Sequence, residues 1–186
     1  NRSTITIPVV VHVLYNTDVQ NILQSQIQSQ IDILNKDFKG LNSEVVPQEF
    51  RAVRGNMNVN FCLYEVVRVY TPVVTWQSNE FMKFTNRGGS DAKYQEKALK
   101  IRECNLSSGI SGYSTSSNSD SNVDGVVISY KYFGVTNNSP YNLGRTATHE
   151  IGHYFGLYHM WGDSNDDTVC GTAQNSDQAA DTPATY

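Results

Sequence analysis

The chain has 186 residues, of which 39% are apolar and 17% charged, with a formal net charge of −4. That length suits one domain that buries its own core, and the acidic balance argues against a general binder of nucleic acid or anionic membrane, which needs excess cation to displace counterions. No apolar run approaches the length that spans a bilayer, so membrane insertion is not expected.

The chain opens at Asn1-Arg2-Ser3-Thr4 and passes at once into a strand, the pattern of a processed start near Asn1. Residues 5–15 are β-branched and apolar, which predicts a strand buried on both faces. Leu23, Ile27, Ile31, Leu34 and Phe38 then recur at helical spacing, and Gly40 closes the helix they define. Met57, Val59, Phe61 and Leu63 alternate with Asn58, Asn60 and Cys62, a half-buried strand. Residues 70–97, with a proline, Gly88-Gly89 and mixed charge, read as an irregular insertion holding one helical turn. Short strands follow over 99–106, 112–115 and 126–130, with a polar loop over 116–124 between the last two. A loop over 134–144 leads to a helix from about Thr146 to Phe155, after which the chain is rich in Asp, Ser and Asn. The order predicts a mixed α/β layer arrangement with no internal repeat.

Cysteine usage is odd in number: Cys62, Cys104 and Cys170. The count allows one bridge and an orphan, or three thiols. Cys62–Cys104 is the bridge expected here.

The chemistry concentrates in His149-Glu150-Ile151-Gly152-His153-Tyr154-Phe155-Gly156-Leu157-Tyr158-His159. His149 and His153 stand four apart on a helix, so both rings leave one face and reach a single Zn²⁺ at roughly 2.0–2.1 Å. Glu150 is rotated about 100° from His149, beside the ion rather than on it. A carboxylate there can take a proton from a water whose pKa zinc lowers from roughly 15.7 towards about 7, and pass it to the leaving nitrogen of an amide. His159, on a continuing helix, would point about 120° away and lie roughly 9 Å further along. Gly156 removes the difficulty, because glycine accepts a left-handed turn that ends the helix and brings His159 back as a third ligand. Three nitrogens and an open position make a catalytic zinc site rather than a structural one. Five such residues at this spacing arise by chance in a chain of this length about once in 10⁵. Three of the four histidines fall in this stretch; His12 lies in the first strand and reads as a hydrogen-bonded core residue.

The motif His149-Glu150-x-x-His153-x-x-Gly156-x-x-His159 resembles the extended zinc signature of the metzincin metallopeptidases. Within that clan the flanks resemble the pappalysin family, whose microbial members are secreted. The matching words are Thr146-Ala147-Thr148 before the motif and Asp181-Thr182-Pro183-Ala184 after it, with Ile7-Pro8-Val9-Val10-Val11-His12-Val13, residues 31–38, Cys104-Asn105-Leu106 and Asp124-Gly125-Val126-Val127-Ile128 earlier. The resemblance implies an α/β (α+β) metzincin-like catalytic domain: a five-stranded twisted mixed sheet with two to three helices, the zinc helix lying below an active-site cleft. It implies a substrate-binding edge strand at Gly112-Tyr113-Ser114-Thr115, pairing with an extended polypeptide. It also implies a calcium site, with Asp177 and Thr182 as the matching positions and Asp163, Asp166, Asp167 and Asp181 as further oxygen donors.

The family carries a methionine turn well downstream of the third histidine, whereas Met160 is adjacent to His159. Residues 1–156 are therefore expected to form the upper subdomain and 157–186 the start of an incomplete lower one, with the partner of Cys170 outside this chain. A zymogen pro-segment is a family feature and is expected to have been removed. The function expected is a secreted zinc endopeptidase that hydrolyses internal peptide bonds by attack of a zinc-bound water, with Glu150 as general base. The rivals are a zinc-holding recognition module without hydrolysis and a zinc amidase of small substrates.

Overall fold

A computed structural model of the chain describes residues 3–107, 109–161 and 177–179. Its spine is strand β1 (Ile5–Tyr15), whose β-branched run is buried from Val9 to Leu14. It is flanked by β2 (Val59–Tyr70) and β3 (Leu99–Cys104), and the sheet continues through β4 (Gly112–Ser114) and β5 (Val126–Ser129) in the spatial order β2-β1-β3-β5-β4. All neighbours pair in parallel except β4, which runs antiparallel to β5. Pairing of β1 with β3 begins at Val9, so Pro8 sits where a missing N–H leaves no gap in that ladder. Among the described residues the sheet is thus five-stranded and mixed, as the resemblance implies, with two α-helices, α1 (Gln24–Phe38) and α2 (Arg145–Tyr154).

Alternation shows only the first part of β2: the strand runs on to Tyr70 instead of stopping at Leu63, because parallel pairing with β1 continues to Tyr15, with Tyr64 as a bulge between the partners of Val9 and Val10. The strand expected over 99–106 ends at Cys104, beyond which Leu106 makes an isolated bridge to Trp76. A 3₁₀ turn over Gln48–Val53, with no periodic signal in the sequence, joins α1 to β2.

Both helices pack on one face of the sheet. Ile27, Ile31 and Leu34 of α1 and Ala147 and Ile151 of α2 meet Val9, Val11, Val13, Phe61, Ile101, Val126 and Ile128 in one apolar cluster. The segment over 70–97 covers the opposite face. It holds two 3₁₀ turns, Phe81–Lys83 and Thr85–Arg87, and places Trp76 and Met82 on Leu14, Cys104 and Val127. Its fit is close at Gly89, where an added Cβ would stand 2.2 Å from the Met82 carbonyl oxygen. His12 points into this layer, fully buried, with Nδ1 2.7 Å from Ser90 Oγ, the hydrogen-bonded core role its position suggests.

The expected Cys62–Cys104 bridge does not form. Cys62 is exposed on β2 and Cys104 is buried at the end of β3, both as free thiols. With β1 between them, the two strands lie about 9–10 Å apart, beyond the roughly 7 Å a bridge allows. Register separates them further, since Cys62 is level with Pro8 whereas Glu103, next to Cys104, is level with Val13. Cys170 lies outside the described residues.

Candidate metal centre

Helix α2 is built with two faces. Ala147, Ile151 and Tyr154 fall within about 60° of one another and pack on the sheet, which turns His149 and His153 to the opposite side, with Glu150 between the two faces. Polar contacts fix the helix at both ends. Near its start, Thr148 Oγ1 donates to Asp37 Oδ2 at 2.7 Å, and Arg145 Nε reaches the same oxygen at 3.0 Å, tying α2 to the last turn of α1. Near its end, Tyr154 donates its hydroxyl to Asp124 Oδ2 at 3.0 Å, and Asp124 Oδ1 pairs at 2.5 Å with the fully buried Lys100 of β3. Burial and the Asp124 carboxylate push the Tyr154 phenol well up. No motif in the sequence points to these partners.

The helix stops as Gly156 suggests. Its φ is +90°, the Gly156 N–H donates to the His153 carbonyl at 2.8 Å, and the Leu157 N–H donates to the Gly152 carbonyl at 3.0 Å. This is a Schellman closure, in which a left-handed glycine satisfies the last carbonyls. Glycine is needed for conformation rather than for room, since an added Cβ would meet nothing within 4 Å. The reversed chain carries His159 back to the helix.

The three rings converge. His149 Nε2 and His153 Nε2 are 2.9 Å apart, His153 and His159 Nε2 3.0 Å, and His159 and His149 Nε2 3.1 Å. The Leu157 carbonyl accepts from His153 Nδ1 at 2.7 Å, so in the neutral ring the proton sits on Nδ1 and Nε2 turns a lone pair towards the other two. Lone pairs held this close repel unless a cation lies among them, and so small a triangle leaves a point about 2.0–2.1 Å from all three, the Zn–N distance. The donor set therefore fits a divalent zinc ion, and among the described residues it is the group of His, Cys, Asp and Glu side chains that could hold a metal. Burial, and then the charges of the neighbouring rings, lower the pKa of His149. Glu150 is 8% exposed beside them, and burial raises its carboxyl above the ordinary range, opposed by positive charge on His153 and His159. A cavity of about 310 Å³ opens onto the triad, lined by Thr148, Gly152, Leu157, Tyr158, Met160 and Trp161 as well as the histidines.

The remaining expected positions divide. Gly112, Tyr113 and Ser114 form β4, which among the described residues is an edge of the sheet paired on one side only, and Thr115 lies just beyond it, its N–H bonded to the Gly125 carbonyl. Strand and helix touch directly: a Cβ at Gly112 would come within 3.1 Å of Thr146 Cγ2. The Tyr113 side chain is taken up elsewhere, its hydroxyl on Met82 Sδ at 3.0 Å in the layer behind the sheet. Of the proposed calcium donors only Asp177 is described, with Oδ1 accepting from the Ala179 N–H at 3.0 Å. Asp163, Asp166, Asp167, Asp181 and Thr182 lie outside the described residues.

A mixed sheet over a helix that carries two of three convergent histidines defines the metzincin type of metallopeptidase fold. The chain belongs to the pregnancy-associated plasma protein-A family, the pappalysins, whose family model matches residues 92–186. It is similar to mature mirolysin of Tannerella forsythia, solved in complex with a cleaved peptide, at 40% identity and a TM-score of 0.93, covering 100% of this chain and 73% of that one. It is similar also to promirolysin of the same organism, at 39% identity and a TM-score of 0.92, over 100% of this chain and 64% of that one. An extracellular metalloprotease of Arthroderma benhamiae is 29% identical over 97% of this chain. The chain spans 59% of the length of that relative. No helix among the described residues is long and apolar enough to cross a membrane.

Proposed function

We propose that this chain is the catalytic unit of a secreted zinc endopeptidase, with His149, His153 and His159 as the metal ligands and Glu150 as general base. The observation that carries the reading is the triangle of Nε2 atoms no more than 3.1 Å on a side, next to a buried carboxylate. Zinc, when bound, supplies a Lewis acid that polarises the scissile carbonyl and acidifies a water. Glu150 accepts a proton from the attacking water on a carboxylate oxygen and delivers it to the leaving amide nitrogen. In the metal-free chain its burial raises the carboxyl pKa, the direction that favours taking up a proton. The His153–Leu157 hydrogen bond holds one ligand ring in its tautomer and orientation.

Polypeptide is favoured over a small amide because β4, an edge of the sheet among the described residues, lies directly against α2 and can pair with an extended main chain. The mature mirolysin structure contains a cleaved peptide, which supports the same substrate class. Gly112 and Ser114 contribute backbone in this reading, and Tyr113 contributes backbone only, its hydroxyl being engaged by Met82. Residues 1–156 act as the upper subdomain and those from 157 onward begin the lower. Calcium is proposed as a second cation, held by the acidic segment that includes Asp163, Asp166, Asp167, Asp177, Asp181 and Thr182, on the strength of the family resemblance and the oxygen-rich donor set. Secretion is supported by the extracellular naming of the relatives.

The test is Glu150→Gln assayed on a denatured protein substrate. Loss of cleavage by a factor of about 10² or more, with one zinc still bound per chain, is expected. Cleavage at the parent rate would remove Glu150 from the mechanism. Chelator-insensitive cleavage by the parent would remove the metal.

A further inference from the structure

The three ligands are not held alike. His149 and His153 take their direction from α2, and His153 is fixed again through Nδ1. His159 stands outside any helix or strand, on the turn that follows Gly156. Trp161 lies flat against its ring, the two planes 6° from parallel with centroids 4.8 Å apart, in addition to the ring contacts with His149 and His153. Trp161 is 53% exposed and belongs to neither apolar cluster of the fold, so packing in the core does not account for its position. It also borders the cavity that opens onto the histidines.

We propose that Trp161 is a positioning residue for the metal centre: its indole face sets the plane of His159 and is coupled to metal occupancy. The inference rests on the metal-centre reading and extends it. An imidazole that donates to a divalent cation becomes electron-poor, and the electron-rich face of an indole attracts such a ring more strongly than a neutral one. The stack is therefore tighter in the metal-bound state, and whatever tightens on binding raises affinity by the same factor. A flat aromatic partner also removes rotamers from a ligand that no secondary structure restrains, so less order must be imposed when the ion arrives.

The experiment uses the full chain, stripped of metal and titrated with zinc against a chromophoric chelator, as parent, Trp161→Phe and Trp161→Ala. Zinc affinity should fall about tenfold to thirtyfold in Trp161→Ala, in the range for outer partners of metal ligands, and recover to within about threefold in Trp161→Phe. The metal-free proteins should share one thermal midpoint, because the side chain is half exposed and outside the core. Tryptophan emission of the parent should change on zinc addition, and that change should vanish in Trp161→Phe, which retains only the buried Trp76. Parent-like affinity in Trp161→Ala, with zinc bound normally by the parent, overturns this proposal alone. Failure of the parent to bind zinc overturns the metal-centre reading and this proposal with it.

Discussion

On the helix side of the sheet, Val9, Val11, Val13, Ile101, Val126 and Ile128 meet Ile27, Ile31, Leu34 and Ile151; on the other side, Lys83, Lys100, Arg102 and His12 are fully buried next to Leu14, Trp76 and Met82. The first face is an ordinary apolar core and carries α2, the helix of the candidate metal centre. The second buries charge, and its two lysines have partners, Lys100 on Asp124 and Lys83 on Glu80 and on the Val123 carbonyl, whereas Arg102 has only a long Nε contact of 3.5 Å to the Ser90 carbonyl among the described residues. The two faces are joined at Asp124, which takes a cation from behind the sheet and the Tyr154 hydroxyl from α2 in front. Pure apolar packing tolerates small slips of a helix along its axis. A buried ion pair that also receives a hydrogen bond from the helix does not, and the residue that donates it, Tyr154, adjoins His153.

The largest effect that would break this arrangement is expected from Asp124→Ala. It leaves the fully buried Lys100 without its partner, and should destabilise the chain by about 3–5 kcal/mol in urea unfolding. A loss under about 1 kcal/mol would show that the ion pair is a bystander. Ile151→Ala, on the apolar face of the same helix, should cost about 2–4 kcal/mol through lost burial and the cavity left behind, with the unfolding slope unchanged. Glu103 is the exception on the helix face: fully buried, neither carboxyl oxygen bonded among the described residues, and its pKa pushed well above the ordinary value by burial. Glu103→Leu should therefore stabilise the protein by about 1–2 kcal/mol; destabilisation would point to a partner for the carboxyl.

The smallest and most specific effect separates the faces by pH. Burial first, then the charges of Arg102 and Lys93, lower the His12 pKa from 6.5 to about 3. Between those values the unfolded chain binds a proton that the folded chain refuses, so stability falls as pH drops from about 6.5 towards about 3 and is fully present above that window. The slope is at most about 1.4 kcal/mol per pH unit. Metal-free parent should lose about 2 kcal/mol more between pH 7 and pH 5 than metal-free His12→Gln. Equal losses would show that His12 takes up its proton while folded.

Much of this was legible from residue order alone, where the signal is local. The helical spacing from Leu23 to Phe38, the run over 5–15 and the four-residue step from His149 to His153 each encode a period of the backbone, and Gly156 encodes a reversal that only glycine makes easily. What escaped was non-local. Cys62 and Cys104 look pairable until β1 is known to lie between their strands. Residues 70–97 look like a loop because a cover that buries lysine and arginine has no apolar period to reveal it. Thr148–Asp37 and Tyr154–Asp124 join residues 111 and 30 positions apart, and no spacing rule connects them. The candidate site was thus readable in its ligands and unreadable in its supports.

Zinc content and coordination of the metal-loaded chain test the central claim most directly, measured by elemental analysis together with X-ray absorption at the zinc edge. One zinc per chain, with three imidazole nitrogens at about 2.0–2.1 Å falling to two in His159→Ala, is the predicted result. Substoichiometric zinc in the parent, or a coordination shell that His159→Ala leaves unchanged, would contradict it.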